Sequence, residues 1–349
     1  MKKRIVIVGP GLIGKVHARI VSSHPHSVLA GVVAPRTHEN MNLSLQFGAR
    51  FFDKLEDALS SEIIDGVIVC SPNAFHFEHG MACIEAGVPV LIEKPMTQTV
   101  DEARILCEAV DRTGAKVLVG HHRTYSTLLE TAVRFLKSEE FGELVALQGA
   151  ALFYKPDGYF VDGPWRAQAG GGPIMINLIH EIGLMRCFGG EVRRVSAISS
   201  NARRNFEVED SASICMEFSS GALGNFLLSD CAASARSWEM TSGENPAYPS
   251  FPSYSCYHFA GSMGSLDFPS MQTRSYLGRP MRSWWTDFDE GMLRRERQDP
   301  LLAQFEHFLQ VASEGALPRV SARDGYRNMK VLEAIGAAVN SGRVVDVLD

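Results

Sequence analysis

The sequence predicts a two-domain protein, an α/β domain on a doubly wound parallel sheet followed by an α+β domain with a mainly antiparallel, open sheet. Three observations carry this. Short valine-rich runs without polar alternation recur through the first third, as strands buried on both faces require. Amphipathic stretches of helical length separate them, which implies right-handed parallel crossovers. Beyond residue 121 the pattern becomes strand-like runs joined by turn punctuation. With 349 residues, 45% of them hydrophobic and 21% charged, the chain is long enough for two separate cores.

The first-domain strands are expected at RIVIVG (4–9), SVLAGVVA (27–34), DGVIVCS (65–71), VPVLIEKP (88–95) and KVLVGHH (116–122). In the second, LETAVRFLKS (129–138) reads as a helix and ELVALQGAALF (143–153) as extended, followed by a helix over 173–188. RRVSAISS is a strand. DSASICMEFSSGALGNFLLSD is a hairpin turning at Ser220-Gly221, and SCYHFAGSMGSLDFPS a second one turning at Gly261 to Gly264. Helices over about 300–314 and 322–341 close the chain. The expected domains are 1–121 and 122–349.

Composition narrows the partners. A formal charge of −6 gives no basic field for a nucleic acid, so a small molecule is the expected ligand. The seven cysteines are scattered singly, without the spacing of zinc or redox motifs, and are expected to be reduced in a cytoplasm. MKKRIVIVGPGLIG faintly mimics a signal peptide, but its apolar run is too short, and no stretch approaches a membrane span. Neither a targeting segment, a membrane partner nor a metal is expected.

Gly9, Gly11 and Gly14 form G-x-G-x-x-G between the first strand and the helical KVHARIVSS. The first glycine permits the tight turn, the second lets a pyrophosphate approach the backbone, and the third lets helix and strand pack closely. Leu12 and Ile13 complete the loop, whose free amides at the helix start suit an anion. A Rossmann dinucleotide-binding domain follows. An NAD site usually places a carboxylate about 20 residues on, at the end of the second strand. VVAPRTH stands there instead, and Arg36 suits a 2′-phosphate. The expected cofactor is NADP or NAD, with NADP favoured.

At Glu93-Lys94-Pro95 the chain resembles the glucose-fructose oxidoreductase and inositol dehydrogenase family, Gfo/Idh/MocA. The resemblance runs through GPGLIG, SPNAFH (71–76), EKP, GHHRTY (120–125), PWR (164–166), GGG (170–172) and His180. It implies that Lys94 lies at the nicotinamide and substrate, that the Lys-Pro bond is cis, and that Ser71, Pro72, Asn73 and His76 line the cofactor with Glu93. It further implies that Arg123, Trp165 and Arg166 lie around the cofactor, and that the protein is a homo-oligomer, dimer or tetramer. Independently, Lys94 closes the fourth run, where open α/β sheets bind ligands, and an ammonium there stabilises a developing oxyanion.

The 173–188 helix is apolar except for Asn177, His180 and Glu181, which at 100° per residue fall within about 100° of arc. Hydride transfer from an alcohol carbon leaves a hydroxyl proton that a base must take, and histidine is suited to that near neutral pH. His180 and Lys94 are therefore the candidate catalytic pair. Two positions depart from the family: many sugar and polyol dehydrogenases of this type have Asp four residues before and three after the histidine, where this chain has Ile176 and Gly183. Asn177 and Tyr125 are the candidate substitutes for the missing support. Tyr154 and other aromatics of the second domain (Tyr159, Trp238, Tyr248, Tyr254) are candidate substrate contacts. Lys155, Arg166 or Arg236 is a candidate holder of a carboxylate.

The expected activity is an NAD(P)-dependent dehydrogenase or reductase of a secondary alcohol or ketone in a sugar, sugar acid or cyclic polyol. The competing readings are a dehydrogenase of a carboxylated cyclic dihydrodiol, an NAD-dependent glycosidase and a non-catalytic dinucleotide sensor.

Overall fold

The computed structural model describes residues 1–61 and 64–347. In the N-terminal part, β1 (Lys3–Val8), α1 (Leu12–Ser23), β2 (Ser27–Val33), α2 (His38–Gln46), β3 (Arg50–Phe52), α3 (Leu55–Leu59), β4 (Gly66–Val69), α4 (His76–Glu85), β5 (Val90–Glu93), α5 (Val100–Thr113) and β6 (Val117–Gly120) alternate along the chain. The strands pair in parallel in the order β3-β2-β1-β4-β5-β6. The order reverses between β1 and β4, the point at which sheets of this kind open a ligand crevice at their carboxyl ends. β3 is an element that the sequence reading lacks; three residues are too few for a visible hydrophobic pattern.

Next along the chain come α6 (Thr127–Leu136), β7 (Leu144–Leu152), α7 (Asp157–Val161), a π-helical turn (Ile174–Leu178) and α8 (Ile179–Gly189). β8 (Val192–Ser200), β9 (Ser211–Phe218), β10 (Leu223–Ser229), α9 (Trp238–Ser242), β11 (Tyr257–Gly261), β12 (Gly264–Phe268), β13 (Gln272–Ser275) and β14 (Asp289–Met292) follow. Among the described residues the strands form one sheet, β14-β13-β12-β11-β7-β10-β9-β8-β15, where β15 is Val345–Asp346. It is antiparallel except for the parallel β7–β10 pair. Phe188 of α8 packs on Tyr257, Phe259 and Phe268 of the sheet. On the strands Val145, Ile198, Leu223 and Leu227 point outward and are exposed.

The last helices are α10 (Pro300–Glu314) and α11 (Ala322–Ser341). The chain forms two compact units: Met1–His122 with Pro300–Met329, and Arg123–Asp299 with Lys330 onward. The sequence reading gives everything after 121 to one domain. In the structure Phe305, Phe308 and Leu309 of α10 join the core of Ile5, Leu29 and Ile68, so 300–329 packs with the first unit. The apolar face of α10 is visible in the sequence, but the sheet it covers is not. No helix among the described residues is long and apolar enough to cross a membrane.

Candidate active site

In the first unit the glycine loop is shaped by close approach. Gly9 has φ +82°, and a Cβ there would meet Ser71 Cα at 2.5 Å, so the loops after β1 and β4 touch. A Cβ on Gly14 would meet the Gly9 carbonyl oxygen at 2.2 Å, which fixes how α1 lies on β1. Gly11 caps α1 with open space around it, no side chain caps the helix, and its first turn carries no acid. The amino end of α1 therefore presents bare N–H groups and its positive dipole end, which fits the pyrophosphate of a dinucleotide. Leu12 beside it is exposed and Ile13 half-buried.

Arg36, past β2, is exposed. It forms a two-pronged ion pair with Asp53 and stacks over Phe51 at 5.3 Å. Asp53 is a partner that sequence reasoning missed, because it sits on the loop after the unforeseen β3.

Lys94 follows β5, half-buried, and its bond to Pro95 is cis. Glu93 beside it is buried: Oε1 lies 2.9 Å from His17 Nε2, and Oε2 accepts the Lys94 backbone N–H at 3.2 Å. Burial works to raise the Glu93 carboxyl, but His17, with His122 and Lys94, outweighs it, and the group lies below its ordinary value. Glu93 is thus anchored inward. His76 is likewise turned to protein: Nδ1 lies 2.7 Å from the Pro95 carbonyl and Nε2 2.8 Å from that of Ser71. It clasps the Ser71-Pro72-Asn73 loop to the cis-proline loop, and burial keeps its ring below the ordinary histidine pKa.

In the second unit the helix carrying His180 departs from the expected regular α-helix. Residues Ile174–Leu178 form a π turn, which widens the helix by about one residue before α8 begins at Ile179. The three polar residues consequently do not share one stripe. Glu181 is buried, accepting from Arg123 Nη1 at 2.5 Å and from the Tyr257 hydroxyl, while Arg123 Nη2 reaches Glu239 of α9. Burial raises the Glu181 carboxyl, and Arg123 and Tyr257 oppose it. Asn177 faces elsewhere: its Oδ1 accepts from Lys155 Nζ at 2.7 Å. His180, one turn on, is half-buried. Glu209, unforeseen from the sequence, accepts the Ile174 N–H at 2.8 Å and so caps the start of the π turn.

The remaining candidates scatter. Arg123 lies inside the second unit, beneath Trp238 at 5.5 Å, with both Nη groups on carboxylates. Arg166 lies 3.9 Å from the centre of the Tyr159 ring and donates to the Tyr159 carbonyl, while Trp165 is half-exposed. Tyr125 is 3% exposed and its carbonyl accepts from Gln298, whereas Tyr154 is exposed with Arg204 over its ring. Buried Arg123 and Glu181 lie 58 positions apart, a pairing without a sequence signal.

Two family models match the chain in order: an oxidoreductase family with an NAD-binding Rossmann fold over residues 3–121, and the GFO/IDH/MocA C-terminal domain over 129–266. Among curated proteins it is 30% identical over 169 residues to scyllo-inositol 2-dehydrogenase (NADP(+)) IolW of Bacillus subtilis (strain 168), covering 48% of this chain and 46% of that protein. It is 26% identical over 146 residues to glucose-6-phosphate 3-dehydrogenase of the same organism, covering 42% and 41%. The chain thus spans about half the length of the curated relatives it matches. The WlbA dehydrogenase of Bordetella pertussis, solved in complex with NADH and UDP-GlcNAcA, shares its fold with a TM-score of 0.79 at 21% identity, over 100% of both chains. With a matching nucleotide-binding half followed in order by the matching C-terminal half, the chain belongs to the Gfo/Idh/MocA oxidoreductase family.

Proposed function

We propose that this protein is an NAD(P)-dependent dehydrogenase or reductase acting on a secondary alcohol or ketone of a sugar, sugar acid or cyclic polyol. The observation that carries the reading is the company Lys94 keeps. It closes β5 at the carboxyl edge of the parallel sheet, in the unit whose glycine loop leaves the start of α1 open to a pyrophosphate. The names of the curated relatives, both dehydrogenases of ring alcohols, support the same class.

A bound nicotinamide supplies the hydride acceptor or donor. Gly9, Gly11 and Gly14 admit its pyrophosphate to the backbone, and Ser71 and Asn73 flank it. Lys94 donates to the reacting oxygen and stabilises the negative charge it acquires, while His180 takes the hydroxyl proton in oxidation and returns it in reduction. The backbone clasp of His76 and the inward anchor of Glu93 act as positioning, holding the Lys94 loop against reorientation. We assign NADP as the preferred cofactor on Arg36: its guanidinium has five N–H donors, of which Asp53 takes two, leaving others for a 2′-phosphate.

Absorbance at 340 nm across a panel of polyols, sugars, sugar acids and dihydrodiols tests the reading. Turnover with at least one of them is expected, and His180→Ala lowers kcat about 1,000-fold with the cofactor Kd unchanged. Arg36→Ala weakens NADPH and spares NADH. No absorbance change anywhere on the panel, with cofactor shown to be bound, refutes the redox assignment.

A further inference from the structure

Asn177 is held as a donor. An ammonium has only protons to give, so Lys155 Nζ, 2.7 Å away, must meet the amide through its oxygen, and the NH2 group is turned the other way. That NH2 has no hydrogen-bond partner among the described residues, and the side chain is only half-buried. One turn before His180, the second unit thus offers N–H donors where a carboxylate at position 176 would have offered acceptors.

Among the groups shielded from water, the charge around this amide is unbalanced in the same sense. The Lys155 side chain is 11% exposed, and its one ion-pair carboxylate among the described residues, Asp230 at 3.4 Å, is shared with Arg204, whose Nε lies 2.8 Å from the other oxygen. Arg204 is committed to structure, since its Nη2 also donates to the carbonyls of Lys155 and Asp230. Arg166 has no carboxylate partner among the described residues and sits on the Tyr159 ring that Lys155 approaches at 4.9 Å. Two more acids face the cluster: Asp157, 3.8 Å from Arg204 Nη1, is 92% exposed and screened by water, and Glu209 spends an oxygen on the Ile174 N–H while burial pushes its carboxyl up. Burial holds Lys155 below its ordinary value, with Asp230 opposing, so an arriving anion finds an ammonium short of negative charge.

We propose that Lys155 and Asn177 form an anion-accepting subsite and that the substrate carries a carboxylate, as in a sugar acid or a carboxylated cyclic diol, rather than being a neutral polyol. The proposal rests on the dehydrogenase reading above for the word substrate, but the subsite is open to test by binding alone. A neutral polyol presents hydroxyls that want acceptors as well as donors, whereas a carboxylate takes a charge-assisted bond from Lys155 and a second from the Asn177 amide.

The test is calorimetric titration of the full chain, loaded with reduced cofactor, with D-glucuronate, D-gluconate and quinate against D-glucose and myo-inositol. At least one acid is expected to bind about 30-fold or more tighter than the neutral ligands, a preference lost in Lys155→Met and kept in Lys155→Arg. In turnover the loss falls on KM, not kcat. Asn177→Asp, which retains the bond from Lys155 while cancelling its charge, abolishes acid binding and serves as the second variant should Lys155→Met misfold. Acids that bind no tighter than neutral ligands, or a preference that survives both variants, overturn the subsite. The two readings fail separately: neutral polyols oxidised as fast as acids sink the subsite alone, while Lys155-dependent acid binding without any absorbance change sinks the dehydrogenase and leaves the subsite standing.

Discussion

Ser126 stands directly after the candidate substrate contact Tyr125, and its side chain does two jobs. Its oxygen accepts from the N–H groups of Leu128 and Leu129 at the start of α6, and its proton goes to Glu244 Oε1 at 2.5 Å. Glu244 Oε2 is buried without a partner among the described residues. Burial pushes this carboxyl up to about 7, against the pull of Ser126 and Arg123. A carboxyl raised in the folded state holds its proton more tightly there than in the unfolded chain. The unfolded state therefore gains from ionising as pH rises above about 4.5, and stability falls until the folded pKa is passed. Glu244→Gln keeps the acceptor for Ser126 and removes the titration. Thermal unfolding should show the variant equal to the parent at pH 4 and more stable at pH 8, on the order of 2 kcal/mol. A variant less stable at pH 8 would mean that the ionised carboxylate is paired and favourable.

The helix that carries His180 is seated by charge. α8 buries Glu181, and Arg123 binds that carboxylate with one arm and Glu239 on α9 with the other, which ties two helices to the segment entering α6. Removing the cation leaves the buried Glu181 carboxylate with only the Tyr257 hydroxyl, a loss of about 3–5 kcal/mol. Arg123→Met is accordingly expected to lower the denaturation midpoint sharply, while the molecules that remain folded bind cofactor as the parent does. Weakened cofactor binding with unchanged stability would instead return Arg123 to the cofactor, where the family resemblance puts it. This element also marks what a linear reading reaches. The continuous apolar runs that became β1, β2, β4, β5 and β6, the Ser220-Gly221 hairpin and the bounds of α10 and α11 are local patterns, legible without tertiary knowledge. So were His180 and Lys94 as candidates, through motif context. The π turn was not legible, because the same residues fit a regular α-helix until Lys155 and Glu209 draw Asn177 and Ile174 to particular partners. Glu239 lies 116 positions from Arg123, and no spacing rule links them.

On the scale of the whole chain, the nucleotide-binding unit is completed by residues 300–329, which follow most of the other unit in the chain. Phe308 of α10 is fully buried and lies against Gly66, where an added Cβ would come within 2.9 Å of its ring. Glycine at the start of β4 thus opens the space that the phenylalanine fills. Just before α11, the Val320 carbonyl accepts the Val119 N–H at 2.9 Å and so occupies part of the free edge of β6. A fragment ending at residue 121 would expose the apolar seat of Phe305, Phe308 and Leu309 and leave that edge bare. It is expected to show no cooperative unfolding transition and no NAD(P)H binding, although it contains every glycine of the cradle. Phe308→Ala in the full chain is the milder form of the same experiment, with an expected cost of about 3–5 kcal/mol, read from the denaturant midpoint. A 1–121 fragment that unfolds cooperatively and binds NAD(P)H as tightly as the full chain would show that the returning helices only cover a domain already complete. The glycine cradle would then be an autonomous binding unit, where the packing of α10 makes it a dependent one.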